Sequence, residues 1–178
     1  MTVGGFPNKI EARTLAARGR DLAGEVALER MPRLQQAILG ADGPASAKAD
    51  FSRDEEGRYL IDVSVSMAVT VPCQRCLQPM RVAVSGEARL AILWTDDQAA
   101  ALPEGIEPLV TGEETDLWAV AEDELLLALP PFSYHNDIDC AAEVGIVVPD
   151  SGVKMPEMTE KSGNNPFSVL SELKKDQK

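Results

Sequence analysis

Two stretches in the middle of the chain alternate between apolar and polar positions. Every odd position from 61 to 71 is apolar, and every even position from 80 to 94 is apolar or glycine. Alternation with a period of two over more than ten residues indicates a β-strand with one buried face. The sequence therefore predicts two long neighbouring strands that are joined by a short connection.

Weaker patterns on both sides of these two strands predict a further strand and a helix. Residues 47–51 and 58–60 flank the turn sequence D-E-E-G, so a further strand is expected to enter as a hairpin. Thr115 is a suitable cap for a helix that begins at Asp116, and Pro130 ends that helix. The predicted fold class is α+β: an antiparallel, partly closed, barrel-like meander with a C-x2-C hairpin tip, packed by helices.

Composition suggests the boundaries of the folded part. We expect one globular domain over residues 1–140 and a linker over 141–164, where glycine and proline interrupt any periodicity. A flexible tail, 165–178, then ends in a short helix. Within the domain we expect an N-terminal helical part (1–40, with a short strand at 21–28), the sheet (45–95), an acidic loop and helix (96–131) with a short edge strand at 106–110, and a second cluster of metal ligands (135–140).

The charge of the chain limits its partners. Acidic residues outnumber basic ones by 29 to 17, which gives a net charge of −12. Binding to phosphate backbones depends on Lys and Arg, so we expect no DNA partner. Between residues 96 and 160 there are 16 acidic side chains and one basic side chain, Lys154. This region favours a basic protein partner or simple solvation.

All ten arginines lie in the N-terminal half of the chain. We expect any direct RNA contact to be weak and to use this half, whereas pairing with neighbouring acids is the alternative. The arginines concerned are Arg13, Arg18, Arg20, Arg30, Arg33, Arg75, Arg81 and Arg89, and the neighbouring acids are Glu11, Asp21, Glu25 and Glu29.

No segment has the pattern of a signal peptide or a membrane span. The first twenty residues contain no apolar core, and the longest apolar run, 125–132, is far shorter than the ~20 residues that cross a bilayer. We therefore expect a soluble, cytoplasmic protein without membrane contact.

All three cysteines and the only histidine lie in two short clusters. Cys73 and Cys76 form C-Q-R-C between the two long strands, and His135 and Cys140 follow the acidic helix. A C-x2-C at a hairpin tip is a common half of a structural zinc site, and two more N or S ligands complete the tetrahedron. We predict zinc bound by all four residues. A redox C-x2-C and a set of ordinary, partly buried side chains stay open as alternatives.

Catalytic patterns are missing from the sequence. A catalytic zinc keeps one open position beside a general base, and the deaminase pattern needs a histidine upstream of the cysteines. The chain also lacks a P-loop and a G-x-G-x-x-G, so we expect no enzymatic activity. Glu122, Asp123 and Glu124 point in different directions on a helix. They are expected to form a solvated face, or an acidic dock for a basic protein or for Arg75.

Four segments in a fixed order resemble a known family. They are C-Q-R-C-x-x-P at 73–79, E-D-E-L-L-L-A-L-P at 122–130, the following H…C pair, and N-P-F-S-V-L-S-E-L-K at 165–174. From about the second strand to its end, the chain resembles the YceD family, whose members are called large ribosomal RNA subunit accumulation proteins. Some branches of that family carry a second C-x-x-C where this chain has His135 and Cys140.

The resemblance implies a bacterial, non-enzymatic factor that supports the synthesis, processing or stability of large-subunit (23S) ribosomal RNA. It also implies a partner in the large-subunit precursor, either a ribosomal protein or rRNA. Two alternatives belong to other classes: a zinc-knuckle interaction module unrelated to ribosomes, and a Cys-based redox enzyme or metalloenzyme.

The tail has the pattern of a short amphipathic helix. Asn165 can cap it and Pro166 can start it, with Phe167, Leu170 and Leu173 on one side. A helix of ~9 residues is too short to persist alone in water, so it must pack on the domain or on a partner, and we favour a partner. The candidate partner-binding residues are therefore these five together with Arg75, Glu122, Asp123 and Glu124.

Overall fold

The computed structural model of the chain describes residues 5–137 and 140–145, which form a mixed fold of sheets and a few helices. The strands are β1 (Lys9–Ile10), β2 (Asp21–Val26), β3 (Gly40–Ala41), β4 (Ala45–Arg53), β5 (Tyr59–Pro72), β6 (Pro79–Leu93), β7 (Glu107–Val110) and β8 (Thr115–Asp116). The helices are α1 (Ala12–Ala17), α2 (Pro32–Ala37), α3 (Leu117–Ala128) and α4 (Cys140–Glu143), with 3-10 turns at Leu28–Arg30 and Asp96–Ala101.

The long antiparallel pair β5–β6 forms the centre of a six-stranded sheet. Pairing runs from Leu60 opposite Ala91 to Pro72 opposite Pro79. The odd residues of β5 from 61 to 71 are buried, while the even ones are partly or fully exposed, as the alternation predicts. The order of strands is β2-β4-β5-β6-β7, and the short β3 also pairs with β5.

The sheet is open rather than barrel-like, which corrects the expected partial closure. Its outer strands β2 and β7 stand at opposite edges of the strand order. Helices α1 and α3 pack against the sheet, so helices bury the apolar face that a barrel would enclose. The meander is also incomplete, because β7 pairs with β6 in parallel. The segment between these two strands forms a crossover connection that returns the chain in the same direction.

Helix α3 lies very close to β6 at Gly86. A Cβ atom at this position would lie 2.8 Å from the backbone oxygen of Glu124, a distance that such atoms do not adopt. Glycine in a strand often marks the close approach of another backbone. The one glycine in the alternating pattern of β6 is therefore the position at which the helix crosses the sheet.

The ends of α3 are set by its neighbours in the chain. Its N-cap is Asp116, whose side chain accepts a hydrogen bond from Ala119 N, and not Thr115 as expected. Thr115 is buried in β8 and its hydroxyl donates to Thr111 Oγ1, so it is not available to cap the helix. The helix ends before Leu129, which adopts an extended conformation, as a residue preceding proline commonly does.

Two further boundaries differ from expectation. In the described residues of the expected N-terminal helical part, helices α1 and α2 have only six residues each, and β2 and a 3-10 turn lie between them. The expected linker 141–164 begins inside α4, while residues 146–178, with the expected tail helix, lie outside the described part of the chain. In the part that the structure describes, no helix combines the length and apolar character needed to span a membrane.

Glu122 joins α3 to the start of α2. The N-cap of α2, Met31, provides no side-chain hydrogen bond. Glu122 Oε1 instead accepts hydrogen bonds from the backbone N atoms of Arg33 (2.6 Å) and Leu34 (3.0 Å), and its Oε2 accepts one from Arg33 Nε at 2.8 Å. A carboxylate at this position satisfies unpaired N–H groups and the positive end of the helix dipole.

The three adjacent acids of α3, which we call the acidic triplet, are Glu122, Asp123 and Glu124. The triplet is largely buried, which corrects the expected solvated face. The side chain of Glu122 is 5% exposed, and Glu124 is buried close to Gly86. Burial, followed by the charges of Glu107 and Asp123, raises the pKa of Glu124. Only Asp123 is exposed, and it pairs with Arg33 at 2.6 Å. The cation that the triplet binds within the fold is therefore that of Arg33, not that of Arg75.

We predict that Glu122→Gln destabilises the protein. Loss of the charge removes charge-assisted hydrogen bonds in a buried site, so the free energy of unfolding should fall by about 2–3 kcal/mol and Tm by roughly 5–10 °C. Circular dichroism during urea and thermal denaturation measures both quantities. Asp123→Asn is the matched control, because an exposed ion pair contributes at most about 1 kcal/mol. Equal effects of the two substitutions would contradict the assignment.

Candidate metal centre

The chain reverses direction between β5 and β6 over residues 73–78. Cys73 N donates to Gln78 O at 2.9 Å, and Leu77 N donates to Cys73 O at 2.8 Å. These bonds form a compact turn in which both cysteines are buried. Leu77 has a φ of 60°, a left-handed conformation that costs a non-glycine residue on the order of 1–2 kcal/mol.

The segment that follows α3 packs against this turn. Gln74 N donates to Ser133 O at 2.8 Å, and Arg75 Nη2 donates to the backbone oxygen of His135. The Arg75 guanidinium also lies 5.3 Å from the centre of the Tyr134 ring. Because Pro130 and Pro131 prevent α3 from continuing, the chain leaves the helix and runs along the hairpin tip.

This contact brings the two predicted clusters together. Cys73 Sγ lies 3.9 Å from Cys140 Sγ, and Cys76 Sγ lies 3.3 Å from His135 Nδ1. The ligand atoms of all four residues lie within 4.8 Å of one another. Two thiolates on one tetrahedral zinc are about 3.8 Å apart, whereas disulfide sulfurs are about 2.05 Å apart. All three cysteines are free, and their arrangement is compatible with a metal site.

The electrostatics of the cluster favour a bound cation. Burial opposes ionisation of Cys73, but backbone N–H groups of Cys76, His135 and Arg75 hydrogen-bond to its sulfur and lower its pKa to about 5. Burial and the neighbouring sulfurs raise the pKa of Cys140 to about 11. A cation at the centre would offset the repulsion between the thiolates and allow Cys140 to ionise at neutral pH.

The other candidate residues fall into three groups. Arg75 lies at the hairpin tip beside the cluster, and the acidic triplet of α3 lies at the contacts described above. The five tail residues, Asn165, Pro166, Phe167, Leu170 and Leu173, lie outside the described part of the chain. The backbone contacts of Gln74 and Arg75 were not expected from the sequence, because backbone oxygens carry no signature in it.

Several arginines of the N-terminal half are engaged within the fold. The Arg13 guanidinium lies 3.4 Å from the centre of the Trp94 ring and donates to the backbone oxygens of Leu93 and Thr111. Further along the chain, Arg81 pairs with Asp42 and Arg89 with Asp62. These partners differ from the neighbouring acids that the sequence suggested.

Comparison with known proteins identifies relatives over nearly the whole chain. The family model for the large ribosomal RNA subunit accumulation protein YceD matches residues 61–174. A curated protein of that name from Haemophilus influenzae is 33% identical over 161 residues, which cover 89% of this chain and 90% of the relative. No solved structure matches the chain significantly. The region matched by the family model contains all four residues of the cluster.

We predict that the protein purified without affinity metals contains one tightly bound metal ion per chain, and that Cys73→Ser abolishes this binding. Removal of the ion by a chelator should lower Tm by on the order of 10 °C or more, because the free energy of binding to a preformed site contributes to folding. Elemental analysis and thermal denaturation measure the two effects. Gln78→Ala is the control at the same turn, and a folded, metal-free wild type would refute the site.

Proposed function

Because the chain belongs to the YceD family of large ribosomal RNA subunit accumulation proteins, we propose that it acts in the biogenesis of the large ribosomal subunit and supports the accumulation of its rRNA. The observation that carries this proposal is the extent of the relationship, which covers 89% of this chain and 90% of the relative. The similarity therefore includes the sheet and α3 as well as the cysteine cluster. On this proposal the protein works in the cytoplasm, where bacterial ribosomes are assembled.

The cluster binds zinc and has a structural role in this proposal. Three thiols and one imidazole are the donor set that tetrahedral structural zinc prefers. Four protein ligands leave no open position for water or substrate, so the metal joins two parts of the chain and performs no reaction. The contacts of Gln74 with Ser133 and of Arg75 with His135 then fix the geometry of the ligands.

The same geometry argues against an enzyme. A redox C-x2-C of the thioredoxin type lies at the start of a helix in a βαβ unit, whereas Cys73 and Cys76 lie between two antiparallel strands. A metalloenzyme needs a vacant ligand position, which a four-residue donor set does not provide. A zinc-knuckle module unrelated to ribosomes is disfavoured by the family match, which extends well beyond the two ligand clusters.

The protein acts through binding in this proposal, and its contacts with RNA are weak. Arg13, Arg81 and Arg89 already have partners within the fold, and the net charge of −12 opposes attachment to a polyanion. The proposed organisation is a domain that includes α4, a linker, and a tail whose Phe167, Leu170 and Leu173 dock on a partner.

We predict that depletion of the protein lowers the amount of large-subunit rRNA relative to small-subunit rRNA. Sucrose-gradient profiles with rRNA quantified in each fraction test this. Re-expression of the wild type should restore the ratio, and re-expression of Cys73→Ser should not, because in this proposal the cluster joins the hairpin tip to the segment after α3. An unchanged ratio during depletion would refute the proposed function.

We also predict that deletion of residues 165–178 leaves Tm nearly unchanged and abolishes rescue of the depleted strain. An apolar helix that binds a partner contributes nothing to the stability of the isolated protein. Deletion of residues 174–178 alone is the matched control, because it retains Phe167, Leu170 and Leu173. A large fall in Tm after the longer deletion would indicate that the segment packs on the domain instead.

A further inference from the structure

Four large apolar side chains are exposed around the hairpin tip, and we refer to them as the tip patch. They are Leu77 (70% exposed), Phe132 (68%), Tyr134 (47%) and Val144 (43%). Phe132 and Tyr134 flank Ser133, whose backbone oxygen accepts a hydrogen bond from Gln74 N in the turn. Val144 lines one groove of about 300 Å³ together with Cys76 and Gln78, the two neighbours of Leu77 in the turn. The four side chains therefore surround the same few residues.

Leu77 holds its position at a conformational cost. Its φ of 60° is one that glycine adopts freely and that leucine rarely adopts. The side chain is largely exposed, so it contributes little to the core. The backbone of Leu77 helps to close the turn that carries the two cysteines, and a glycine would do this at a lower conformational cost. An exposed leucine at such a position suggests a functional role for its side chain. Here the left-handed conformation belongs to a residue whose apolar side chain is exposed in the turn at the hairpin tip.

The surroundings of the tip patch resemble the centre of a protein–protein interface. Residues 71–80 contain one charged side chain, Arg75, which donates to the backbone oxygen of His135. Residues 125–136 contain no Asp, Glu, Lys or Arg, and the one charged residue among those lining the groove beside Val144 is Asp137. Interface centres are poor in charge and rich in aromatic residues and arginine, and exposed apolar clusters of this kind mark binding surfaces.

The charge of the whole chain indicates which partner fits. At a net charge of −12 the protein repels RNA, and it also repels a second copy of itself. A basic protein is attracted by the same field. We propose that the tip patch is the docking surface for a basic protein of the large-subunit precursor, with Leu77 as its central contact. This inference rests on the proposed function and assigns a partner class to it.

Two substitutions at Leu77 and one control separate binding from folding. Leu77→Gly relieves the strain, so the metal content should be unchanged and Tm should be unchanged or higher by up to about 4 °C. Leu77→Met keeps an apolar side chain and should behave like the wild type. Val110→Thr replaces an exposed apolar residue in β7, which pairs with the end of β6 remote from the tip, and should have no effect.

The binding test is co-sedimentation of each purified variant with large-subunit precursor particles from the depleted strain. We expect Leu77→Gly to weaken binding by at least about tenfold, as loss of a central interface residue does. A benzophenone amino acid in place of Phe132 should cross-link to a basic protein, in a product destroyed by protease and not by ribonuclease. Cross-linking to RNA or to a second copy of the chain would overturn the proposal, as would wild-type binding by Leu77→Gly.

These outcomes separate the two proposals. If depletion leaves the rRNA ratio unchanged, the proposed function fails. If depletion lowers the ratio and Leu77→Gly binds and rescues as well as the wild type, the function stands and the docking surface is refuted.

Discussion

The convergence of three thiols and one imidazole at the hairpin tip is the constraint on which the rest of the site depends. It joins the turn after β5 to the segment after α3, which are separated by about sixty residues in the chain. Backbone hydrogen bonds from Gln74 and Arg75 align the two segments, and burial makes several thiolates unfavourable without a cation. A metal bound by these four residues would therefore be coupled to the arrangement of this end of the fold.

Two further long-range contacts, one with α2 and one with β6, hold helix α3 in place. Glu122 provides the N-terminal hydrogen bonds that α2 lacks in its own sequence, and the missing side chain at Gly86 lets α3 lie directly on β6. The position of α3 thus depends on one buried charge and on one close backbone contact. Because the segment after α3 carries His135, both contacts help to position a member of the cluster.

The parts of the structure governed by local pattern could be predicted from the sequence, and the parts governed by distant partners could not. Strands β5 and β6 follow from their alternation, and the convergence of the three cysteines and the histidine follows from their small number and their two short clusters in the sequence. The parallel pairing of β7 and the open sheet depend on how a crossover and two helices pack. The capping of α2 by Glu122 joins residues nearly ninety positions apart, and adjacent acids on a helix give no sign of which one is buried.

The placement of the cysteines also determines how the protein responds to thiol chemistry. The chain has three cysteines, and all three belong to the cluster. A thiol-reactive dye would therefore find no background site, and its rate of labelling would report directly on how often the cluster opens. An oxidant that joined two of these sulfurs would disrupt the cluster and leave the segment after α3 held only by the hydrogen bonds of Gln74 and Arg75. The reactivity of the three thiols can therefore be used to measure whether this end of the protein is folded.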